Sequence, residues 1–111
     1  VMDIYTLLKS IMTADIVRPA TLDLMKTYIR KKEGFSTYKY GLGIVYRDHE
    51  TYGQAIGHSG SLPGYSTEAW YFPEKDTYIV YQINVGNILN GPVQRLIDED
   101  FREALLQSVF E

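Results

Sequence analysis

The chain has no cysteine, and that absence excludes several kinds of site at once. Disulfide frameworks, zinc ribbons and thiol nucleophiles all depend on the missing residue. No apolar run approaches the roughly 18 residues of a membrane-spanning helix. Basic residues are not in excess either, since the chain has 11 Lys and Arg but 14 Asp and Glu. Because a nucleic-acid surface usually needs a clustered basic face, we expect no nucleic-acid partner.

What is present describes a small globular chain. Its 111 residues are 45% hydrophobic and 23% charged, with a net charge of −3. This length allows at most one domain, at the small end for burying a complete core. The chain begins at Val1, shows no signal peptide and enters a helical pattern at once. We therefore interpret residues 1–111 as a single segment of a longer protein.

Hydrophobic periodicity predicts two helices followed by four strands. Apolar residues recur at helical spacing from Ile4 to Met12, with Asp3 as the N-cap. A second helix is predicted from Pro19 to the region of Gly34. Its inward residues are predicted to be Leu22, Met25, Tyr28 and Ile29. Strands rich in β-branched and aromatic residues are predicted at 38–47, 54–60, 66–73 and 77–84.

A last helix is predicted to begin at Pro92. Its buried stripe is predicted to consist of Val93, Leu96, Ile97, Phe101, Ala104, Leu105 and Val109. The order of elements predicts an α+β fold, an antiparallel four-stranded sheet with helices packed on it.

One stretch departs from ordinary strand composition: residues 57–67, "GHSGSLPGYST". Internal glycines weaken strand pairing and offer no side chain to pack. A histidine, hydroxyls and bare backbone together indicate that something other than a neighbouring side chain approaches this strand. The alternative is that His58 is an ordinary polar strand residue and that Gly60 begins the turn. His49, by contrast, falls in a polar turn and is predicted to be exposed to solvent.

With "YGLG" at residues 40–43 before it and an aromatic strand ending in Pro73-Glu74 after it, this stretch resembles the serine β-lactamase and penicillin-binding protein superfamily. The resemblance is to the branch of class C β-lactamases, D-alanyl-D-alanine carboxypeptidases and related esterases. There the third active-site motif, Lys-Thr-Gly elsewhere, often reads His-Thr-Gly or His-Ser-Gly. The resemblance covers nearly the whole chain and implies the C-terminal part of the β-lactamase/transpeptidase-like fold.

The resemblance implies catalytic roles for His58, Ser59 and Ser61 and substrate binding by Gly60 and Ser61. The Ser61 N–H would hold the oxyanion of an acyl-transfer intermediate, worth about 3–4 kcal/mol per donor. The substrate would lie along the strand as an added strand, and Gly60 would leave it room. His58 would replace the family's lysine and orient the proton network or the substrate's carboxylate. Ser59 would donate a hydrogen bond to that carboxylate or carry the proton network.

The family's nucleophile has no counterpart at the expected place. Ser36 and Lys39 spell Ser-x-x-Lys, but they lie in a passage from loop to strand instead of opening a helix. We interpret this short pattern as a coincidence. No Tyr-x-Asn occurs at a matching position either. The nucleophile and its base are therefore expected N-terminal to Val1, and the chain alone is expected to be inactive.

The function predicted is that of a segment of a serine hydrolase performing acyl transfer on a β-lactam, a D-Ala-D-Ala peptide or a small ester. The alternatives are a non-catalytic binding or sensing protein and an interaction fragment. No cofactor and no metal are expected, since nothing has metal-ligand spacing. In the resembling fold residues 77–84 pair with strands from the N-terminal region, which are expected outside this chain. The resemblance therefore implies an apolar edge at 77–84, which predicts self-association. The resemblance implies a cell-envelope or extracellular location.

Overall fold

The chain was examined as a computed structural model that describes residues 1–30, 38–85 and 96–111. These ranges contain helices α1 (Met2–Met12), α2 (Pro19–Met25) and α3 (Arg102–Phe110), the last preceded by a π-helical segment, Leu96–Phe101. The strands are β1 (Ile29–Arg30), β2 (Tyr38–Tyr40), β3 (Val45–His49), β4 (Gly53–Leu62), β5 (Tyr65–Phe72) and β6 (Thr77–Ile83). In the described ranges no helix combines the length and the apolar character that crossing a membrane requires.

The strands form one antiparallel sheet in chain order, from β1 to β6. The α+β class is confirmed, but the predicted number of four strands is wrong. Within the described residues the sheet has five strands of three or more residues, and the two-residue β1 pairs with β2 at one edge. The register of β2 on β3 pairs Tyr40 with Val45, and the register of β3 on β4 pairs Val45 with Gly57.

The extra strand arises because the predicted strand 38–47 is a hairpin. β2 and β3 are joined through Gly41 to Ile44, where the Gly41 N–H donates to the Ile44 carbonyl at 2.8 Å. Gly43 has a φ of +73°, a conformation that glycine adopts at little cost. The two glycines of "YGLG" therefore mark a reversal of the chain.

The second helix is shorter than predicted. It begins at Pro19 as expected but ends at Met25, and Ile29, predicted to point inward, lies in β1 with 74% of its surface exposed. The Met25 carbonyl accepts a hydrogen bond from the Leu42 N–H at 3.0 Å. Since this partner comes from the β2–β3 turn, a contact distant in sequence satisfies the helix end.

The two outer helices also depart from the predicted details. The N-cap of α1 is Val1 without a side-chain hydrogen bond, so Asp3 lies in the first turn, where its charge still complements the helix dipole.

In the last helix the buried residue is Leu106, at 4% exposure, whereas Leu96, Phe101 and Val109 are exposed. A π-helical turn holds an extra residue, which rotates the positions after it by about 100° relative to an unbroken helix. Pro92 and Val93 lie outside the described residues.

The chain divides into two compact units, and the division falls within β4 and β5. The first unit comprises Val1–Ser59 and Glu68–Tyr81, and the second comprises Gly60–Thr67 and Gln82–Glu111. The first unit holds these buried apolar residues: Leu8, Leu22, Ile44, Val45, Tyr52, Ala55, Ile56, Ala69, Trp70, Phe72 and Ile79. Its centre is the middle of the sheet, where Val45 is only 1% exposed.

Tyrosine side chains pack together in the first unit. Tyr71 stacks on Tyr78 with ring centroids 4.4 Å apart, and Tyr5 of α1 meets Tyr78 edge-on at 5.5 Å. Tyr28 lies against Tyr46 at 5.4 Å. Burial raises the pKa of Tyr28, Tyr46, Tyr71 and Tyr78 above the ordinary value of 10.0, because an ionised phenolate loses solvation there.

The Tyr28 hydroxyl is buried without a hydrogen-bond partner. We therefore expect Tyr28→Phe to raise the free energy of unfolding by about 1 kcal/mol, since the unsatisfied hydroxyl is removed. Urea unfolding at neutral pH measures this. Tyr71→Phe is the matched control, because the Tyr71 hydroxyl donates to Asp76 at 3.2 Å. A loss of stability in Tyr28→Phe as large as in Tyr71→Phe would contradict the expectation.

The stability of Tyr28→Phe should also depend on pH differently from that of the parent chain. A raised pKa means that the native state holds the phenol proton more tightly than the unfolded chain does. This contribution is fully present below pH 10.0, the ordinary value, and is lost as the pH rises through the raised pKa. When urea unfolding is repeated at increasing pH, the free energy of unfolding should fall less steeply above pH 10.0 in Tyr28→Phe than in the parent chain.

Candidate functional site

The strand β4 continues beyond the end of its neighbour β3. The last pair between them is Val45 with Gly57, whereas β4 runs on to Leu62. Burial changes at the same point: Ala55, Ile56 and Gly57 are buried and His58 is exposed. On the side of β3, no strand of the described ranges pairs with residues 58–62. This part of β4 offers an edge to which an extended ligand could add.

Strand alternation decides which backbone groups face this edge. Pro63 and Gly64 join β4 to β5 as a two-residue turn, in which Gly64 has a φ of +92°. Such a turn sets Leu62 opposite Tyr65 with their N–H and C=O groups directed at each other. Neighbouring residues direct these groups to the other edge, so the backbone of Ser59 and Ser61 points away from β5. The Ser61 N–H thus points to the edge that β3 leaves open, and its role as an oxyanion donor remains a prediction.

Gly57 and Gly60, both on β4, are glycines for different reasons. A Cβ on Gly57 would overlap the Ala69 carbonyl oxygen and lie 3.0 Å from the Trp70 Cα. Gly57 is therefore required by the close approach of β5. A Cβ on Gly60 would meet no atom within 4 Å, and the φ of Gly60 is not in the left-handed region. Neither packing nor backbone conformation in the described residues requires a glycine at position 60.

His58 is exposed and has two defined contacts. Its Nδ1 lies 2.6 Å from the Ser59 carbonyl oxygen. The Tyr40 ring meets the imidazole edge-to-face, with centroids 6.0 Å apart and planes at 77°. In the sequence Tyr40 is marked only as part of "YGLG", and nothing in that pattern predicts this contact. The hairpin of β2 and β3, which brings the end of β2 towards β4, could have signalled it.

The remaining polar residues singled out from sequence lie elsewhere. His49 is half-buried, contrary to prediction, because its Nδ1 accepts the N–H groups of Thr51 and Tyr52 at 3.2 and 3.3 Å. Lys39 lies on β2 with its ammonium 5.0 Å from the centre of the Tyr46 ring. Ser36 lies outside the described residues. Within the described part of the chain, no three His, Asp or Glu side chains are grouped as metal ligands would be.

Comparison with known proteins identifies the fold. No family model and no curated protein matches the chain. Among solved structures, a D-stereospecific amidohydrolase from Streptomyces sp. matches 90% of this chain with a TM-score of 0.71 and 20% sequence identity. Over this range the chain has the fold of the matching part of that enzyme.

The likeness covers only part of the amidohydrolase. This chain spans 29% of the length of the amidohydrolase. At this identity the likeness shows the fold alone. The predicted superfamily and its branch with class C β-lactamases stay predictions that this fold supports. The roles of His58, Ser59, Gly60 and Ser61 stay predictions, supported by their position on β4.

The contrast between the two glycines is testable in the chain as it stands. Gly57→Ala should lower the free energy of unfolding by about 2–3 kcal/mol, because the added methyl group collides with the β5 backbone. Gly60→Ala should change it by less than about 0.5 kcal/mol, since space is free and the backbone unstrained. Urea unfolding of both variants measures the difference. Equal destabilisation by the two would show that Gly60 also has a packing role.

Proposed function

We propose that the chain is a segment of a β-lactamase-like serine hydrolase that acts by acyl transfer. The observation that carries the proposal is Gly60, which lies on the exposed end of β4 without a packing or conformational reason for being glycine. A bare backbone at that position leaves room for a substrate to pair with the strand. The fold shared with the D-stereospecific amidohydrolase supports the same interpretation.

Acyl transfer needs a donor for the developing oxyanion. The Ser61 N–H would serve, because it points away from β5 and because backbone donors held in place need no reorganisation during the reaction. The Ser61 carbonyl would accept a hydrogen bond from the substrate amide. Ser59 would supply a hydroxyl beside this edge. The serine nucleophile and its base would come from a part of the protein outside this chain.

The substrate class is an amide, a β-lactam or a small ester. The amidohydrolase of similar fold is D-stereospecific by its description, which favours a D-amino-acid amide for this chain as well. A D-Ala-D-Ala peptide and a β-lactam each present an amide carbonyl that a serine nucleophile can attack. The resemblance of the sequence to D-alanyl-D-alanine carboxypeptidases and esterases supports these substrate classes.

A non-catalytic binding or sensing protein is the second candidate. It would use the same exposed end of β4 for binding and needs no nucleophile. Acylation separates the two candidates. A serine hydrolase forms a covalent adduct with a labelled penicillin, detected by mass spectrometry of the longer protein, whereas a sensor of the non-covalent kind does not.

The proposal predicts the effect of Gly60→Val in the longer protein. The branched side chain should obstruct substrate pairing and lower kcat/KM about a hundredfold, the loss expected when one oxyanion contact fails. Thermal unfolding should stay close to that of the parent, since valine suits a strand. Val80→Ala, on β6, is a control away from this edge. Normal kinetics in Gly60→Val would remove Gly60 from the site.

We also propose that the chain self-associates through β6. This strand is last in the sheet order, and Thr77–Ile83 contains no charged residue and no proline. Uncharged edge strands are the type that pairs with other chains. Two copies related by a two-fold axis could pair β6 with β6 in antiparallel orientation, which makes the contact self-complementary.

Light scattering at micromolar concentration tests this assembly. The chain should be a dimer or larger, and Val80→Lys should shift it to monomer, because a lysine on an edge strand opposes pairing. Gln54→Lys, an exposed position on the inner strand β4, adds the same charge as a control. A parent chain that is monomeric would end the proposal.

A further inference from the structure

The two histidines of the chain make opposite contacts through the same ring atom. The Nδ1 of His49 faces two backbone N–H groups, those of Thr51 at 3.2 Å and Tyr52 at 3.3 Å. The Nδ1 of His58 faces a carbonyl oxygen, that of Ser59, at 2.6 Å. One imidazole is therefore beside donors and the other is beside an acceptor.

These contacts assign the tautomers. An N–H group donates, so the His49 Nδ1 accepts and the ring proton of neutral His49 is on Nε2. A carbonyl oxygen only accepts, so the His58 Nδ1 carries the proton and donates it to the Ser59 carbonyl. In neutral His58 the Nε2 then has a free lone pair. The hydrogen bond made by one ring nitrogen decides whether the other carries the proton. Neutral His49 therefore has a donor at Nε2, and neutral His58 has an acceptor there.

Tyr40 restricts the His58 ring. Its edge-to-face contact at 6.0 Å and 77° occupies one side of the imidazole. Rotation of the imidazole by half a turn would place a C–H group against the Ser59 carbonyl and lose the hydrogen bond. Tyr40 is thus a positioning residue, which acts through His58.

We propose that Tyr40 and the Ser59 carbonyl hold His58 as the Nδ1–H tautomer, so that its exposed Nε2 accepts a hydrogen bond from a donor group of the substrate. The fitting donor is an amide N–H, a hydroxyl or an ammonium. A carboxylate is disfavoured, because its oxygens would face a nitrogen lone pair and not an N–H. This differs from the carboxylate role that the family resemblance implies for His58. The recognition of a donor rests on the proposed function, whereas the tautomer does not.

NMR of the chain labelled with ¹⁵N-histidine tests the tautomer, at a pH where both rings are observed to be neutral. Two-bond correlations distinguish the protonated from the unprotonated ring nitrogen. His58 should show a protonated Nδ1 and His49 a protonated Nε2, with a preference of about fivefold at His58 for one net hydrogen bond. His49 is the internal control. Two histidines with the same Nε2–H pattern would overturn the proposal.

Variants of Tyr40 test its positioning role. Tyr40→Phe keeps the ring and should keep the His58 tautomer. Tyr40→Leu removes the edge-to-face contact and should shift His58 towards the Nε2–H tautomer, which an unconstrained neutral histidine favours, with His49 unchanged. A tautomer ratio at His58 that is the same in both variants would remove Tyr40 from the proposal.

A matched pair of ligands tests recognition in the same spectra. Propionamide and propionate differ only in a terminal amide or carboxylate, and the carboxylate has no N–H group. The amide should shift the His58 Nε2 signal, and the carboxylate should shift it at least tenfold less at equal concentration. A larger shift with the carboxylate, or none with the amide, would overturn donor recognition.

The two proposals fail separately. An Nε2–H tautomer at His58 together with the expected loss of activity in Gly60→Val overturns this inference alone. The Nδ1–H tautomer together with no acylation of the longer protein by the labelled penicillin overturns the proposed function and leaves the tautomer in place.

Discussion

The pairing of Val45 with Gly57 is the last between β3 and β4, and the candidate site depends on where it stops. Up to this pair β4 has a strand on both sides and Ala55, Ile56 and Gly57 are buried, whereas none of the residues from His58 to Leu62 is buried. The β2–β3 turn sets this limit because it fixes the residue at which β3 begins. A short hairpin thereby leaves five residues of β4, His58–Leu62, with one side not occupied by β3.

A strand that is to receive a ligand must stay straight and ordered without a neighbour on one side. The close approach of β5 at Gly57 supplies this support, since no side chain separates the two backbones there. Three residues later, the bare backbone at Gly60 has the opposite purpose in our proposal, which is to keep space free. The arrangement suits a function in which backbone groups, and not long side chains, bind the reacting carbonyl.

The chemistry of the exposed histidine depends on an equally local contact. One carbonyl oxygen beside Nδ1 decides which ring nitrogen carries the proton. A lysine at position 58 would offer donors and a positive charge, whereas neutral His58 in our proposal offers an acceptor at Nε2. The two side chains would therefore recognise different kinds of group. The fold alone does not reveal that difference.

The sequence by itself determined the elements whose signals are local: the start of α2 at Pro19, the turn at Pro63-Gly64, the strands β4 to β6 and the resemblance carried by His58 to Thr67. Tertiary structure decided the rest. The end of α2 depends on the Leu42 N–H bonded to the Met25 carbonyl, and the contact of Tyr40 with His58 depends on the β2–β3 hairpin. The buried face of the last helix depends on its π-helical segment. Each of these follows from a backbone geometry or a partner distant in sequence, which periodicity along the chain does not encode.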